Sequence, residues 1–402
     1  MQHRLLIATA CLLALLSTTG ASLAYPLLPP LFAGAGNALN SFLGLPPKLL
    51  FGIALMANPA GMLIGSAVLG SWSDSLGRRR MLLLTTVGAA AGHLLTAWAL
   101  LAQSFPLLVA ARFATGVLEG NGAILRALLA ERLGGALRKH ALSWINGAFH
   151  LGWLVGPLLS GLSAGHSITL PFCLAAAGLV LGALLSLLVL PPDPAPAGTL
   201  DPWRLARERH AFTLLRHGPL RTLFLIYFAY ACGVAGFYEF FPLWLVEVGG
   251  YDAAGIALVN MAMCGVMTAT AMVAGRAHPG DARYRASCQA GAVALAILCV
   301  GLGNLWIGMA AIMLFGLPHA FYNATLQAWA SEHFAGHGQG AVMGLISTTF
   351  CLAQLAMALG GGLLALVDTR LVLVAGGLLA GWGAVSMRRW SRQSTATQTE
   401  FA

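Results

Sequence analysis

Long apolar runs separated by short polar junctions repeat along all 402 residues. A helix needs about 20 apolar residues to cross the hydrocarbon core of a bilayer. Twelve stretches fit that requirement: 5–31, 48–69, 81–103, 106–130, 140–162, 168–190, 220–246, 253–274, 286–304, 306–330, 340–366 and 370–387. Junctions as short as Gln103-Ser104-Phe105 and Gly303-Asn304 imply tight hairpins between antiparallel helices. The pattern predicts an all-α integral membrane protein of twelve transmembrane helices. Met1 to Arg4, the apolar run from Leu5 to Leu16 and Ala21-Ser22-Leu23-Ala24 also fit a cleaved signal peptide. Removing it would leave an odd number of spans, so the run reads as an uncleaved first helix, kinked by Pro26 and ended by Pro29-Pro30.

Composition agrees with a membrane chain. Hydrophobic residues make up 58% and charged residues 9%, where a soluble domain carries about 25% charged residues. The net charge of +9 comes from arginines scattered through the junctions, not from a basic patch with interleaved aromatics, so nucleic acid is not an expected partner. The seven cysteines, among them Cys11, Cys173, Cys232, Cys264, Cys299 and Cys351, show no paired spacing and read as small packing residues.

Placing both termini in the cytoplasm puts 18 of the 22 Lys and Arg on that side and leaves only Lys48 and Arg370 outside, with Arg112 and Arg126 inside a span. That asymmetry is hard to reach with a wrong topology. The chain divides into an N-terminal six-helix bundle (1–190), a cytoplasmic linker (191–219), a C-terminal six-helix bundle (220–390) and a cytoplasmic tail (391–402). The linker opens on Pro191-Pro192-Asp193-Pro194 and continues into a basic, partly amphipathic segment, Trp203 to His217, expected to lie on the inner membrane surface.

The junction between spans 2 and 3 reads Gly70-Ser71-Trp72-Ser73-Asp74-Ser75-Leu76-Gly77-Arg78-Arg79-Arg80. It resembles the major facilitator superfamily signature Gly-x-x-x-Asp-x-x-Gly-Arg-Arg, departing at Ser75, where the family often has Arg. In span 4, Arg112-Phe113-Ala114-Thr115-Gly116 is similar to that family's Arg-x-x-x-Gly. In span 5, Gly152-Trp153-Leu154-Val155-Gly156-Pro157-Leu158-Leu159-Ser160-Gly161 is similar to Gly-x-x-x-Gly-Pro-x-x-Gly-Gly, a pattern linked to exporters of the drug:proton antiporter type. Ordinary helix packing is the plainer reading of small residues at four-residue spacing. Three signatures in the right spans and order point to the family. In the second half, Gly275, Asp281, Arg283 and Arg285 keep only a loose copy of the first signature. The resemblance covers essentially the whole chain. It implies two six-helix bundles around a central cavity, each built from inverted three-helix repeats. It also gives Gly70, Asp74, Gly77, Arg78 and Arg79 the role of a cytoplasmic gate that locks in the outward-open state, and it makes Gly152, Gly156, Pro157 and Gly161 a helix-packing motif.

An ionisable side chain at mid-bilayer costs about 2.5–3.5 kcal/mol on insertion scales, so such residues are functional candidates. They are Arg112, Glu119 and Arg126 in span 4, Glu239 in span 7, and His93, His150 and His319 in spans 3, 5 and 10. Arg112, Glu119 and Arg126 are spaced by seven. In a continuous helix that returns each to within about 20° of the last and draws a stripe about 21 Å long. Such a stripe lines a polar cavity or pairs with neighbours. A fixed ion pair holding helices together is the plain alternative for Glu119 and Arg126. Glu239 lies about as deep in span 7 as Arg112 does in span 4, which permits a transient pair between the halves. Glu119 and Glu239 are the expected proton-coupling groups. Arg112, Glu119, Asn121, His150, Tyr238, Glu239, His319, Tyr322 and Asn323 are the expected substrate-binding set. His93 is set aside as structural, because span 3 is a support helix in the resembled fold. Any one of the histidines also fits a neutral, hydrogen-bonded place in a helix interface.

No Gly-x-x-x-x-Gly-Lys-Ser/Thr loop occurs, so ATP is not the direct energy source, and no nucleophile–base set marks an enzyme. No catalytic residue, cofactor or resident metal is expected. The reading is a secondary transporter in the inner membrane, acting as a monomer by alternating access. It exports a small organic molecule in exchange for protons, with substrate competing for an arginine to couple binding to protonation. The alternatives are a dedicated siderophore or anionic metabolite transporter, with export favoured over import, and more weakly a copper transporter using Met263/Met267 and Met309/Met313.

Overall fold

The computed structural model describes residues 2–34, 38–190, 192–193, 211–274, 281–334, 336 and 339–399. Most of the expected amphipathic segment and Gly275 of the second-half motif fall outside them. Among the described residues there are helices and no strands. In chain order they are α1 (Gln2–Ser22), α2 (Ala24–Ala33), α3 (Pro47–Leu76), α4 (Arg78–Leu101), α5 (Phe105–Glu119), α6 (Gly122–Arg132), α7 (Gly135–Ala164) and α8 (Leu170–Val189). There follow α9 (Gly218–Gly249), α10 (Ala253–Ala274), α11 (Ala282–Gly301), α12 (Leu305–His333), α13 (Gln339–Ala365) and α14 (Thr369–Thr399).

Among the described residues the twelve passes become fourteen α-helices because two of them are broken. Span 1 breaks at Leu23 between α1 and α2. Pro26 has no amide hydrogen for the carbonyl one turn back, at Ser22. Span 4 breaks at Gly120-Asn121 between α5 and α6. Ten helices are long and apolar enough to cross a membrane, with α1 and α2 taken together as one. The remaining two passes are the broken α5–α6 and the more polar α7.

Contacts cluster into two compact units, 1–210 with 252–257 and 211–251 with 258–402. In the first, α1 packs on α7 and α8, α3 on α5, and α4 on α5 and α8. In the second, α9 packs on α13 and α14, and α11 on α12 and α14. The partners of α1 and α4 in the first unit correspond to those of α9 and α11 in the second. Leu94, Trp98, Leu188, Trp306 and Leu378 are exposed on the helix surfaces. In water they would be aggregation sites; in a bilayer they meet acyl chains.

The loose second-half motif makes a helix cap. The Asp281 carboxylate accepts from the Arg283 backbone N–H at 2.9 Å and from the Ser391 hydroxyl, tying the start of α11 to α14. Arg283 lies over the rings of Trp329 and Trp390, 5.9 and 5.7 Å from their centroids. Burial alone would raise the Asp281 carboxyl. The hydrogen bonds from Ser391 and Arg283, with the Arg283 charge, outweigh it and hold the group below its ordinary value.

Candidate functional site

The first signature is hardly a loop. Asp74 lies in the last turn of α3, α4 starts at Arg78, and the whole turn is Gly77, at φ +102°. That backbone region suits glycine. A Cβ there would also overlap the Asp193 carboxylate. Asp193 accepts from the backbone N–H groups of Arg79 (2.8 Å) and Arg80 (3.0 Å), so a residue from beyond α8 caps the start of α4. Arg78 pairs with Asp74 one turn back, donates to Glu131 Oε1 at 2.7 Å, and reaches the Gly70 carbonyl at 3.4 Å. Arg79 donates to the Leu187 carbonyl at 2.6 Å. The motif is thus a junction of α3, α4, α6 and the end of α8.

Magnitudes rank its parts. The Arg78–Glu131 pair is half in solvent, with Glu131 52% exposed, and such pairs contribute about 0–1 kcal/mol. A capping acid contributes about 0.5–2 kcal/mol, and a non-glycine residue in left-handed geometry costs about 1–2 kcal/mol. Gly77→Ala is therefore expected to destabilise the protein by about 2–4 kcal/mol, strain and cap together. Arg78→Ala should cost less, and Gly70→Ala should be tolerated, since its Cβ would rest 3.7 Å from Ala123. Thermal melts of the three purified variants check that order.

The deepest polar cluster of the first unit forms where the two broken spans meet. Glu119 ends α5 and is 3% exposed. Its Oε2 accepts from the Asn58 amide of α3 at 2.9 Å, and its Oε1 bonds His93 Nε2 of α4 at 2.9 Å. Ser17 of α1 donates to the Glu119 backbone carbonyl at 3.1 Å. Gly116 makes this possible: any Cβ there would overlap the Asn58 backbone, so only glycine lets α3 come close enough to present the amide. Arg112, two turns back on the same face of α5 and 3% exposed, donates from one terminal nitrogen to the Ala21 carbonyl at 3.1 Å. That carbonyl lies in the last turn of α1, where the break leaves acceptors without helix partners. The Nε and the other terminal nitrogen of Arg112 are buried without a partner among the described residues.

This corrects one expectation and gives a second its partner. The three-residue stripe assumed a continuous helix, and the break at Gly120-Asn121 leaves only Arg112 and Glu119 on it. Arg126 lies beyond the break on α6, exposed, stacked on Phe149 at 4.9 Å and bonded to Asn146 at 3.4 Å. His93, set aside as structural, is hydrogen-bonded to Glu119. Asn121 is buried at the break, where its carbonyl starts α6 by accepting from Ile124 and Leu125. His150 is exposed on α7, one turn after Asn146.

The packing motif joins α7 to α1. A Cβ on Gly152 would overlap Thr18, and one on Gly156 would overlap Ser22. The closeness lets Ser22 donate to the Gly152 carbonyl at 3.2 Å and Ser160 to the Leu23 carbonyl at 2.7 Å, at the break in span 1. Pro157 and the buried Gly161 lie in the same helix.

In the second unit, His319 of α12 is held between two partners: Tyr230 of α9, whose hydroxyl is 2.9 Å from Nδ1, and Asn323, 3.0 Å from Nε2. Tyr322 stacks on Tyr230 with centroids 3.8 Å apart, and Tyr238 meets His319 edge-on at 6.0 Å. Tyr238 also donates to Met267 Sδ at 3.6 Å. Glu239 is 2% exposed, and neither carboxyl oxygen has a hydrogen-bond partner among the described residues. Sequence reasoning had not picked out Tyr230, Asn58, Glu131 or Asp193.

Broken spans, ionisable groups buried within them and a glycine-hinged junction between two spans fit a polytopic membrane transporter. Residues 10–356 match the Major Facilitator Superfamily, and the chain belongs to that family. Its members are transporters, not enzymes. The tetracycline resistance protein of class B from Escherichia coli is 29% identical over 170 residues, which is 42% of this chain and 39% of that protein. The chain thus matches about two fifths of the length of these relatives. Human major facilitator superfamily domain-containing protein 10 is 27% identical over 399 residues, covering 85% of this chain and 83% of that one. Among solved structures, the human organic anion transporter MFSD10 (TETRAN) superposes with a TM-score of 0.71 at 22% identity over 96% of this chain and 99% of that one. A D-xylose-proton symporter gives 0.75 at 16% identity, over 96% of each chain. At these identities the likeness establishes the twelve-helix fold alone.

Proposed function

We infer that the protein is a proton-coupled exporter of a small organic molecule. It works by alternating access as a monomer in the inner membrane, with both termini in the cytoplasm. The observation that carries the reading is Glu119: a carboxyl sealed inside a membrane span, held by the Asn58 amide and His93 at the meeting of two broken helices. Discontinuous helices are where transporters of other folds bind substrate and coupling ion. The tight α1–α7 seam and the tetracycline resistance relatives support export. Glu239, buried with no hydrogen-bond partner among the described residues, is the second candidate for the proton. Tyr238, His319, Tyr322 and Asn323 offer stacking faces and hydrogen bonds to a planar polar solute.

A second reading has its own observation. The two unpartnered nitrogens of buried Arg112 suit a carboxylate or other oxyanion, and a structural neighbour is an organic anion transporter. An anionic metabolite or siderophore would then be the substrate. The two readings differ in the sign of linkage. Arg112 and Glu119 balance each other. A proton leaves the cluster at +1, and an anion offsets that charge, so an anion and a proton bind together. A cationic or neutral substrate that needs the ionised carboxylate competes with the proton, as exchange requires.

Everted membrane vesicles with an acid interior test this. The export reading expects tetracycline to accumulate inside and to release protons as it does, and purified protein to release protons on binding it. Fluorescein, an anionic probe, loaded inside the vesicles and carried out together with protons would favour the second reading. If neither probe responds to the pH gradient while the protein is present in the membrane, the proton-coupled reading fails.

A further inference from the structure

Between His93 and Glu119 lies a hydrogen bond of 2.9 Å in which both side chains are completely shielded from solvent. The shielding is specific. Gly20 of α1 lies against the pair so closely that a Cβ would overlap His93 Nε2 and come within 2.5 Å of Glu119 Oε1. Phe172 of α8 lies against the imidazole, with ring centroids 6.3 Å apart. The second carboxyl oxygen is occupied by the Asn58 amide. One polar atom of the pair is left over: His93 Nδ1, buried and without a partner among the described residues.

The charged and titratable groups around the pair are few. α5 supplies Arg112 besides Glu119, and α2 supplies Tyr25, close enough to act electrostatically on Arg112. Arg126 of α6 turns to Asn146 instead. α8 brings Cys173, which is exposed. α1 and α3 carry no Asp, Glu, Lys, Arg or His along their middle turns, from Leu5 to Ser22 and from Leu49 to Ser73.

The 2.9 Å contact admits two arrangements of its proton. A neutral imidazole with its proton on Nε2 donates to the ionised carboxylate, and Nδ1 is then a bare lone pair. In that arrangement no donor of the pair is left unsatisfied. A proton arriving at Nδ1 can be matched by transfer of the Nε2 proton to Oε1. The imidazole ends neutral as the other tautomer, the carboxyl ends protonated, and the hydrogen bond reverses so that Oε1–H donates to Nε2. One proton enters and one hydrogen bond is kept, and the proton-bound form carries a buried Nδ1–H with no acceptor among the described residues.

We propose that His93 and Glu119 hold the transported proton as a single site, with the proton entering and leaving through His93 Nδ1. This rests on the proton-coupled reading above, and it makes His93 a positioning and relay residue that the family signatures do not include. His93→Gln keeps a neutral N–H for Oε1 but cannot exchange a proton. Gly20→Ala alters no titratable group and forces the pair apart.

Infrared difference spectra of the full-length protein in lipid nanodiscs, stepped through pH with no substrate present, read the protonated-carboxyl band and the imidazole tautomer bands together. The carboxyl band is assigned by its loss in Glu119→Gln. In the wild type the carboxyl and tautomer bands should change with one midpoint. In His93→Gln the carboxyl midpoint should move by about one pH unit or more, and the pH optimum of tetracycline transport in proteoliposomes should move with it. In Gly20→Ala the two bands should separate. Wild-type tautomer bands that stay silent at the carboxyl midpoint would overturn the proposal, as would a His93→Gln protein with the wild-type midpoint and pH optimum. The wild-type measurement decides even if a variant fails to fold. If tetracycline is not moved by a pH gradient, the transport reading falls while the spectra still judge the pair.

Discussion

Glu119→Gln should abolish accumulation against a gradient while leaving downhill exchange of substrate intact. A one-proton exchanger equilibrates at roughly tenfold accumulation per pH unit, since each unit is about 1.4 kcal/mol. A variant that cannot carry the proton should level off at equal concentrations whatever gradient is imposed. The substitution is nearly isosteric, and its hydrogen bonds can be rebuilt. Gln Oε1 can accept from Asn58, and its amide can donate to His93 Nε2. That forces the His93 proton onto Nδ1, which lacks a partner, at about 1–3 kcal/mol. Folding should therefore survive, with a modest loss in melting temperature. The decisive measurement is in proteoliposomes: counterflow of labelled tetracycline together with its accumulation under an imposed pH gradient. Loss of both would mean that Glu119 serves substrate binding. Retention of both would move the proton to Glu239.

Much of the fold was legible because a bilayer imposes a coarse rule. About 20 apolar residues per pass and basic residues on one side leave little freedom, and the twelve runs each became one pass. The two breaks were not legible in the same way. Pro26 announced a kink in span 1, but nothing in Gly120-Asn121 outweighs 28 residues of otherwise helical pattern between Phe105 and Arg132. The stripe of Arg112, Glu119 and Arg126 was therefore drawn through a helix that stops at Glu119. The candidate site was half legible for a different reason. Searching the spans for ionisable groups finds Glu119 and Arg112, because charges are rare there. It passes over Asn58, since an amide in a span is common. His93 was read from the usual role of its helix, and only packing shows that its partner is Glu119. Asp193 and Glu131 lie more than 50 residues from the Arg78 turn in sequence, and only packing brings them to it.

The second large effect is expected at the α1–α7 seam, where Gly156→Val should lower stability by about 3 kcal/mol or more and abolish transport. In a membrane, helices associate through close packing and interhelical hydrogen bonds, not through exclusion of water from apolar faces. A seam of small residues is then a main source of cohesion. A Cβ at Gly156 would overlap Ser22 and lie 2.5 Å from the Thr19 carbonyl, so backbone must move. Overpacking of this kind costs about 1–3 kcal/mol. Parting the helices also breaks the Ser22–Gly152 and Ser160–Leu23 hydrogen bonds, each worth about 0.5–1.5 kcal/mol. Even Gly156→Ala should be harmful. The same helix supplies the contrast: Gly147 has nothing within 4 Å of a Cβ placed on it. Alanine there should be neutral or stabilise by roughly 0.5–1 kcal/mol, through helix preference alone. Melting curves of Gly156→Ala, Gly156→Val and Gly147→Ala, with tetracycline flux on the same preparations, should therefore diverge in sign along one helix. If both positions respond alike, glycine in α7 reflects general helix flexibility and the seam is not what holds α1 and α7 together.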